Sequence, residues 1–212
     1  MRFRDRADGG QRLAKKLLTY KNNPKAIVLG LPRGGVVTAY EVAKELNLPL
    51  DIIVTRKIGA PGEPELAVGA LTQDGKSLFN QELMDSLGLL KEDVAQIIEE
   101  ERKEAQRRLT TYRGNRAPLD VKNKIAIIVD DGIATGATMR AAIASACNLG
   151  AQKIVVAIPV APPESLKEIR KEADEVICLF VPEVMLGVGA FYDLFAQTDD
   201  ATVIELLSKA QQ

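Results

Sequence analysis

The chain has 212 residues, a formal net charge of −1 and no histidine, and 46% of its residues are hydrophobic. This length and composition are sufficient for one sizeable domain, spanning residues 1–212, with a buried core. The balanced charge argues against nucleic-acid binding through a bulk basic surface. The absence of histidine excludes Ser-His-Asp triads and histidine metal ligands.

The features that bear on cellular location agree with one another. No apolar run approaches the length needed to span a membrane, and the N-terminal segment MRFRDRADGG lacks the apolar core of a signal peptide. Cys147 and Cys178 lie among apolar residues without a zinc-type spacing, which predicts reduced core cysteines. We therefore expect a cytoplasmic protein with no membrane or nucleic-acid partner.

Apolar periodicity and turn residues predict helices and strands along the whole chain. In chain order they are a helix at 8–20, a strand at 26–30, a helix at 36–46, a strand at 51–55, a β-hairpin of 66–71 with 76–79, a mostly polar helical stretch at 81–112 broken near Gly88, a strand at 124–129, a helix ending at Leu149, a strand at 153–160, a helix at 162–171, a strand at 175–181 and a helix at 202–210.

The alternation of short buried strands with helices predicts an α/β fold, in which a central, mostly parallel sheet is flanked by helices. Ligands of such sheets bind at the carboxyl ends of the strands. Three loops rich in glycine or charge leave strands at that edge, at 30–35, 56–62 and 130–138. We expect these loops to converge.

The segment KIAIIVDDGIATGATM, which begins at Lys124, carries the strongest functional signal. An apolar strand ends in Asp130 and Asp131, and a loop of small residues and threonines then leads into a helix. Such a loop can direct backbone N–H groups toward one anion, and carboxylates suit sugar hydroxyls. Phosphate and ribose side by side indicate a ribose-5-phosphate site. The alternative is a solvated acidic turn that caps the next helix.

This segment resembles the motif that binds phosphoribosyl pyrophosphate (PRPP) in type I phosphoribosyltransferases. The resemblance implies the fold of that family, with a small C-terminal hood and a helical and hairpin insertion. It also implies that Asp130 and Asp131 hold the ribose hydroxyls and contribute to a Mg²⁺ site. The residues implied to seat the 5′-phosphate are Gly132, Ile133, Ala134, Thr135, Gly136, Ala137 and Thr138.

The loop Pro32-Arg33-Gly34-Gly35 after the first strand resembles the pyrophosphate loop of the same family. Glycine allows backbone amides to approach a ligand closely, and an arginine suits phosphate. The resemblance implies a non-proline cis peptide at Pro32–Arg33 or Arg33–Gly34. An ordinary turn is the alternative.

Arg56 and Lys57 stand where family members commonly place a basic residue that meets the leaving pyrophosphate; the alternative is a solvated basic pair. With Arg33 they form the implied catalytic set. The segment 59–65 resembles the start of the flexible loop that covers the site in these enzymes. The stretch to Tyr112 would be an insertion in that loop.

The resemblance places the hood mainly in residues 178–212. The side chains implied to contact the acceptor are Val181, Met185, Leu186, Phe191 and Tyr192. Asp193 matches an acid that holds a Mg²⁺-bound water in some relatives. Core packing is the alternative for Phe191 and Tyr192.

The resemblance implies transfer of ribose-5-phosphate from PRPP to a nitrogenous base, with release of pyrophosphate, Mg²⁺ as cofactor and a place in nucleotide metabolism. Ala134 replaces the aspartate of 6-oxopurine enzymes, and the stretch 158–162 lacks their lysine, so hypoxanthine and guanine are not expected. The Arg-Phe-x-Asp-Arg start and the Gly-Ala-Phe-Tyr segment are similar to a group of unassigned acceptor. A non-catalytic regulator that binds PRPP or a nucleotide is the alternative, and a homo-oligomer remains open.

Overall fold

The computed structural model describes residues 2–114 and 116–210, so residue 115 of the expected domain and residues 211–212 of the expected hood lie outside the described residues. In this part of the chain the strands are β1 (Ala26–Gly30), β2 (Leu50–Ile52), β3 (Arg56–Ala60), β4 (Glu63–Leu71), β5 (Ser77–Phe79), β6 (Ile125–Val129), β7 (Lys153–Val160) and β8 (Glu175–Phe180). The helices are α1 (Arg6–Ala14), α2 (Gly34–Leu46), α3 (Gln81–Ser86), α4 (Ala95–Arg113), α5 (Ala137–Asn148), α6 (Pro163–Glu172) and α7 (Asp200–Lys209).

The central sheet is parallel throughout, and its strand order in the described residues is β2-β1-β6-β7-β8. Successive side chains of a strand point to opposite faces. Val28 and Ile127 accordingly pack with α1, α2 and α7, whereas Leu29 and Ile128 pack with α5 and α6. Both faces are covered, which explains why these strands are continuously apolar. The predicted α/β fold with a parallel sheet flanked by helices is confirmed.

A second, antiparallel sheet of order β3-β4-β5 forms the insertion, together with α3 and α4. The predicted hairpin is confirmed as β4 and β5. The prediction of a loop at 56–62 is wrong for Arg56–Ala60, which is a strand paired with β4. The expected flexibility of 59–65 stays a prediction. A Cβ atom on Gly59 would lie 2.7 Å from the carbonyl oxygen of Pro64. This glycine therefore permits close approach of two strands.

Local chemistry explains where several helices begin and end. α1 begins before the predicted residue 8 because the Asp5 side chain accepts a hydrogen bond from the amide of Asp8 at 2.8 Å. It also ends early, and a separate 3-10 helix follows at Leu18–Tyr20. The break near Gly88 is confirmed, since this residue has φ of +65° between α3 and α4.

The chain after β8 runs beside the N-terminal residues. Phe3 and Tyr192 form a β-bridge, and the amide of Phe3 donates to the carbonyl of Phe191 at 2.8 Å. Within the expected hood, β8 belongs to the central sheet and α7 packs on α2 and α4. Among residues 2–114 and 116–210, no helix is both long and apolar enough to cross a membrane.

The cysteine prediction is wrong for one of the two residues. Both thiols are free, but Cys147 is exposed on α5, whereas Cys178 is half-buried in β8. The apolar sequence neighbours of Cys147 occupy the buried face of the helix, and Cys147 itself lies on the other face.

We expect Glu104→Gln to lower the free energy of unfolding at pH 7 by less than about 1 kcal/mol. Hydrogen bonds from Arg107 and then Arg108 lower the pKa of Glu104 from 4.5 to about 2, against the opposing effect of burial. A carboxyl with a depressed pKa stabilises the fold above its unfolded pKa and loses that effect as pH falls. The difference between variant and wild type should therefore shrink between pH 4.5 and about 2.

Urea unfolding between pH 2 and pH 7 measures this difference. Glu100→Gln on the same helix is the control, since the Glu100 side chain accepts only from Gln96 within the described residues. A Glu104→Gln effect that stays constant with pH would contradict the assignment.

Candidate functional site

Two of the three expected loops meet at the carboxyl edge of the central sheet. β1 and β6 are neighbours, and their last paired residues are Gly30 and Val129. The loops that follow are in direct contact. A Cβ atom on Gly35 would lie 2.5 Å from Oδ1 of Asp130, and one on Gly34 would overlap Oδ2 of Asp131. The predicted convergence of 30–35 with 130–138 is confirmed, and the two glycines make it sterically possible.

The first of these loops has the predicted backbone. The Pro32–Arg33 peptide is cis, as expected. The next two residues, Gly34 and Gly35, already form the first turn of α2. Arg33 is partly exposed, and its Nη1 atom lies 3.7 Å from Oδ1 of Asp200 at the start of α7. This ion pair is too long to be a hydrogen bond, so the guanidinium group is only loosely held.

Asp200 itself is more firmly engaged than Arg33. Its Oδ1 atom accepts from the hydroxyl of Tyr112 at 2.6 Å, and its Oδ2 atom accepts from Arg107 at 3.1 Å. Both donors belong to α4. Burial, together with the hydrogen bond to Asp200, raises the pKa of Tyr112 to about 12. A single carboxylate therefore connects the insertion helix, α7 and the loop that carries Arg33.

The adjacent acids Asp130 and Asp131 have different surroundings. Oδ1 of Asp130 accepts from the backbone amide of Asp131 at 2.8 Å. Burial and the neighbouring charge of Asp131 raise the pKa of the Asp130 carboxyl well above its usual range. Oδ2 of Asp131 instead accepts from Nε of Arg6 at 2.5 Å. Burial thus disfavours the charged form of Asp130, while Asp131 has a permanent cation beside it.

The loop 132–138 leads to the N-terminus of α5. The amide of Ile133 donates to the carbonyl of Val160 at 2.9 Å, and Ile133 is buried. This residue is engaged inside the protein and anchors the loop. Ala134 and Thr135 are exposed, and Gly136, with φ of +82°, precedes the first residue of α5. The first amides of a helix have no partner within it and carry positive potential, which makes this end suitable for an anion.

The pair Arg56 and Lys57 occupies the start of β3. Thr55 fixes this point against the other loop, because its hydroxyl donates to the carbonyl of Thr138 at 3.2 Å. Nε of Arg56 donates to Glu101 of α4 at 2.5 Å. Side chains alternate along a strand, so Lys57 leaves the opposite face. The structure thus brings both residues near the phosphate loop but directs Arg56 toward the insertion.

The residues expected in the hood separate into two groups. Tyr192 is buried, its hydroxyl donates to the carbonyl of Asp131 at 2.5 Å, and its ring stacks on Phe195 at 5.0 Å. Burial and the nearby Asp131 raise its pKa. This ring is core packing and cannot stack on a base in this conformation. Phe191 is half-buried against Phe180.

The other hood residues are open to solvent. Val181 is 43% exposed and Leu186 is 91% exposed, with Met185 half-buried between them. The segment touches the motif loop, because a Cβ atom on Gly132 would lie 2.5 Å from Cγ1 of Val188. Val188 therefore brings this apolar segment next to Gly132, which directly follows the acid pair.

The residues expected to bind Mg²⁺ do not form a preorganised cluster. Asp193 forms an ion pair with Arg2 at 3.0 Å, and both side chains are more than half exposed. Across residues 2–114 and 116–210, no group of three or more His, Cys, Asp or Glu residues is arranged to hold a metal. Mg²⁺ commonly takes only one or two protein carboxylates and completes its shell with water and substrate phosphates. Asp130 fits that mode of binding.

Sequence reasoning gave no role to two residues at this site, Arg6 and Asp200. The Arg-Phe-x-Asp-Arg start contributed only to the resemblance, yet Arg6 contacts Asp131 across 125 residues of sequence. Asp200 is the first residue of α7 and precedes the helix predicted at 202–210, for which no function was predicted. Arg6 and Asp200 lie near the two ends of the chain, and no motif or spacing in the sequence indicates their contacts.

Comparisons with known proteins agree with this geometry. A family model described as the phosphoribosyl transferase domain matches residues 3–191. The chain belongs to the type I phosphoribosyltransferase family. Two curated proteins from Mycobacterium tuberculosis are 43% identical to this chain over 99% of its length. Their names assign both of them provisionally as phosphoribosyl transferases.

The extent of similarity differs between relatives. The match covers 47% of each Mycobacterium tuberculosis protein, so this chain spans about half the length of the curated relatives it matches. The crystal structure of TT1426 from Thermus thermophilus is 38% identical, with a TM-score of 0.82, and the match covers 99% of both chains.

We expect Tyr192→Phe to lower the free energy of unfolding by about 1–3 kcal/mol, because it leaves a buried carbonyl without its donor. Urea unfolding measures the change. Tyr40→Phe is the control, since its hydroxyl makes no hydrogen bond in the described part of the chain, and it should change stability by less than about 0.5 kcal/mol. Equal effects of the two substitutions would show that the bond to Asp131 contributes nothing.

Proposed function

We propose that the protein transfers ribose-5-phosphate from PRPP to a nitrogenous base and releases pyrophosphate. The observation that carries this proposal is the contact between the Gly34-Gly35 loop and the acid pair, with the N-terminus of α5 on the same edge of the sheet. A pyrophosphate group, a ribose and a 5′-phosphate need three such binding surfaces next to each other.

Recognition of the ribose phosphate would fall to the second loop. Asp130 would bind a ribose hydroxyl, since its carboxyl group accepts only the Asp131 amide in the described part of the chain. The 5′-phosphate would bind at 134–138, where exposed Thr135 and the first amides of α5 provide donors. Ile133 would hold this loop in place through its bond to Val160.

Recognition of pyrophosphate would fall to the first loop and the start of β3. Gly34 and Gly35 bring this loop against the acid pair, and Arg33 is held by Asp200 only at 3.7 Å. Arg33 can therefore turn to the phosphates at little cost. Lys57 and Arg56 would add positive charge, with Arg56 shared with Glu101. Asp130 would help to hold Mg²⁺, which would supply further neutralisation of the leaving group.

The reaction requires little covalent chemistry from the protein. The bond from the anomeric carbon to a pyrophosphate oxygen breaks, and a bond to the base nitrogen forms, through a transition state with positive charge on the ribose. Positioning of the two reactants and neutralisation of pyrophosphate then account for most of the acceleration.

The acceptor pocket would lie between the motif loop and the segment 181–188. Its apolar side chains, such as Leu186, are exposed and could cover a planar base. Ala134 has no carboxyl group for a purine N7, and the strand end at Val160 is followed by Ala161 and Pro162 rather than a lysine. These residues disfavour 6-oxopurines as acceptors.

We expect Asp130→Asn to weaken Mg²⁺-dependent PRPP binding by at least about tenfold, equivalent to about 1.4 kcal/mol. The amide keeps the shape of the side chain but loses the charge and one acceptor position. Isothermal titration calorimetry measures the affinity, and Asp120→Asn on the surface is the control, because the Asp120 side chain accepts only from the Lys122 amide and the Lys124 side chain in the described part of the chain. Unchanged affinity in Asp130→Asn would refute the proposed ribose site.

A second experiment separates catalysis from binding. We expect pyrophosphate release from PRPP with at least one compound in a panel of purine and pyrimidine bases, and release that is at least about tenfold slower with hypoxanthine and guanine. A coupled pyrophosphate assay measures the rates. PRPP binding without turnover on any base would instead support a nucleotide-binding regulator.

A further inference from the structure

Arg6 connects three segments around the acid pair. From the first turn of α1, its Nε atom donates to Oδ2 of Asp131 at 2.5 Å. Its Nη1 atom donates to the carbonyl of Ala196 at 2.7 Å, and its guanidinium carbon lies 3.8 Å from the centre of the Phe195 ring. Only 12% of the Arg6 side chain and 14% of the Asp131 side chain are exposed. This is a fixed, largely desolvated ion pair.

The ion pair also lies against the pyrophosphate loop. A Cβ atom on Gly34 would overlap Oδ2 of Asp131 and would lie 2.7 Å from Nε of Arg6. The hydroxyl of Tyr192 also holds the carbonyl of Asp131. Asp131 is therefore fixed through both its side chain and its backbone.

Asp130 and Asp131 differ in how much of their hydrogen-bonding capacity is already used within the protein. One carboxylate oxygen of Asp131 is occupied by Arg6, and the residue is enclosed by the loop and the hood. Asp130 makes no ion pair in the described part of the chain, and its carboxylate accepts only the amide of Asp131 there. Asp130 is the acid with free capacity for a ligand.

We propose that Arg6 is a positioning residue, which fixes the Asp131 side chain so that Asp130 is the acid that meets the ribose hydroxyls. The inference rests on the proposed function. Without Arg6, two adjacent and largely desolvated carboxylates would lie beside each other without a cation, and the acid pair would move.

The test is a double-substitution cycle read by PRPP affinity. Arg6→Gln alone should weaken binding by at least about tenfold, because Asp131 then lacks its cation. Adding Asp131→Asn removes the uncompensated charge, so the double variant should bind within about threefold of wild type. A role limited to folding would lower the unfolding midpoint of both variants without this recovery of affinity.

Two further variants complete the design. Arg6→Lys keeps the charge but not the planar group that bonds Ala196 and stacks on Phe195, so its affinity should lie between those of wild type and Arg6→Gln. If Arg6→Gln does not fold, Arg6→Lys replaces it as the single substitution at this position. Arg4→Gln is the matched control, because the Arg4 side chain is 67% exposed and, among the described residues, bonds only to Asp5, and it should leave affinity unchanged.

The outcomes distinguish the two proposals. If wild type does not bind PRPP, the proposed function fails and this inference with it. If wild type binds PRPP and Arg6→Gln binds equally well, or the double variant is no better than Arg6→Gln, the inference alone is overturned.

Discussion

The parallel pairing of β1 with β6 determines where the site forms. The two strands are aligned so that Gly30 and Val129 are paired at their ends, and the amide of Leu31 adds one more bond to the carbonyl of Val129 at 3.0 Å. The loops after β1 and β6 therefore leave the sheet side by side, at the same position along the strand direction. A shift of one residue would invert the faces of a strand that is buried on both sides, so the apolar core fixes this alignment and, through it, the position of the acids.

Placing two carboxylates at a crowded sheet edge is electrostatically unfavourable, and the surrounding residues offset the cost in different ways. A cation compensates Asp131, and a backbone amide together with a raised pKa accommodates Asp130. The glycines of the neighbouring loop are required because any side chain there would collide with these oxygens. The composition of one loop is thus set by the acids of the other.

The central fold and the two loops were accessible from the sequence. Strands at 26–30 and 153–160 were predicted with the bounds that the structure has, because they are unbroken apolar runs between clear turn residues. The cis peptide followed from resemblance alone. β3 was missed since glycine and proline in its neighbourhood indicated a loop, whereas Gly59 serves the close approach of β4.

The contacts that shape the acid pair were not accessible in this way. Arg6 and Tyr192 reach Asp131 from opposite ends of the chain, and neither sequence periodicity nor a local motif reports on such distant pairs. The roles of Arg56 and Tyr192 were inferred from their positions in the sequence pattern of the family. Such a pattern gives the place of a residue along the chain but not the direction of its side chain. Here Arg56 turns to Glu101 and Tyr192 into the core.

A bound anion would compete with the carboxylate of Asp200 for the guanidinium group of Arg33. An anion that draws this arginine away leaves Asp200 with Tyr112 and Arg107 as its remaining partners, both on the insertion helix. Binding of an anion at the Arg33 loop is therefore coupled energetically to the packing of α4 against α7, because both depend on the carboxylate of Asp200.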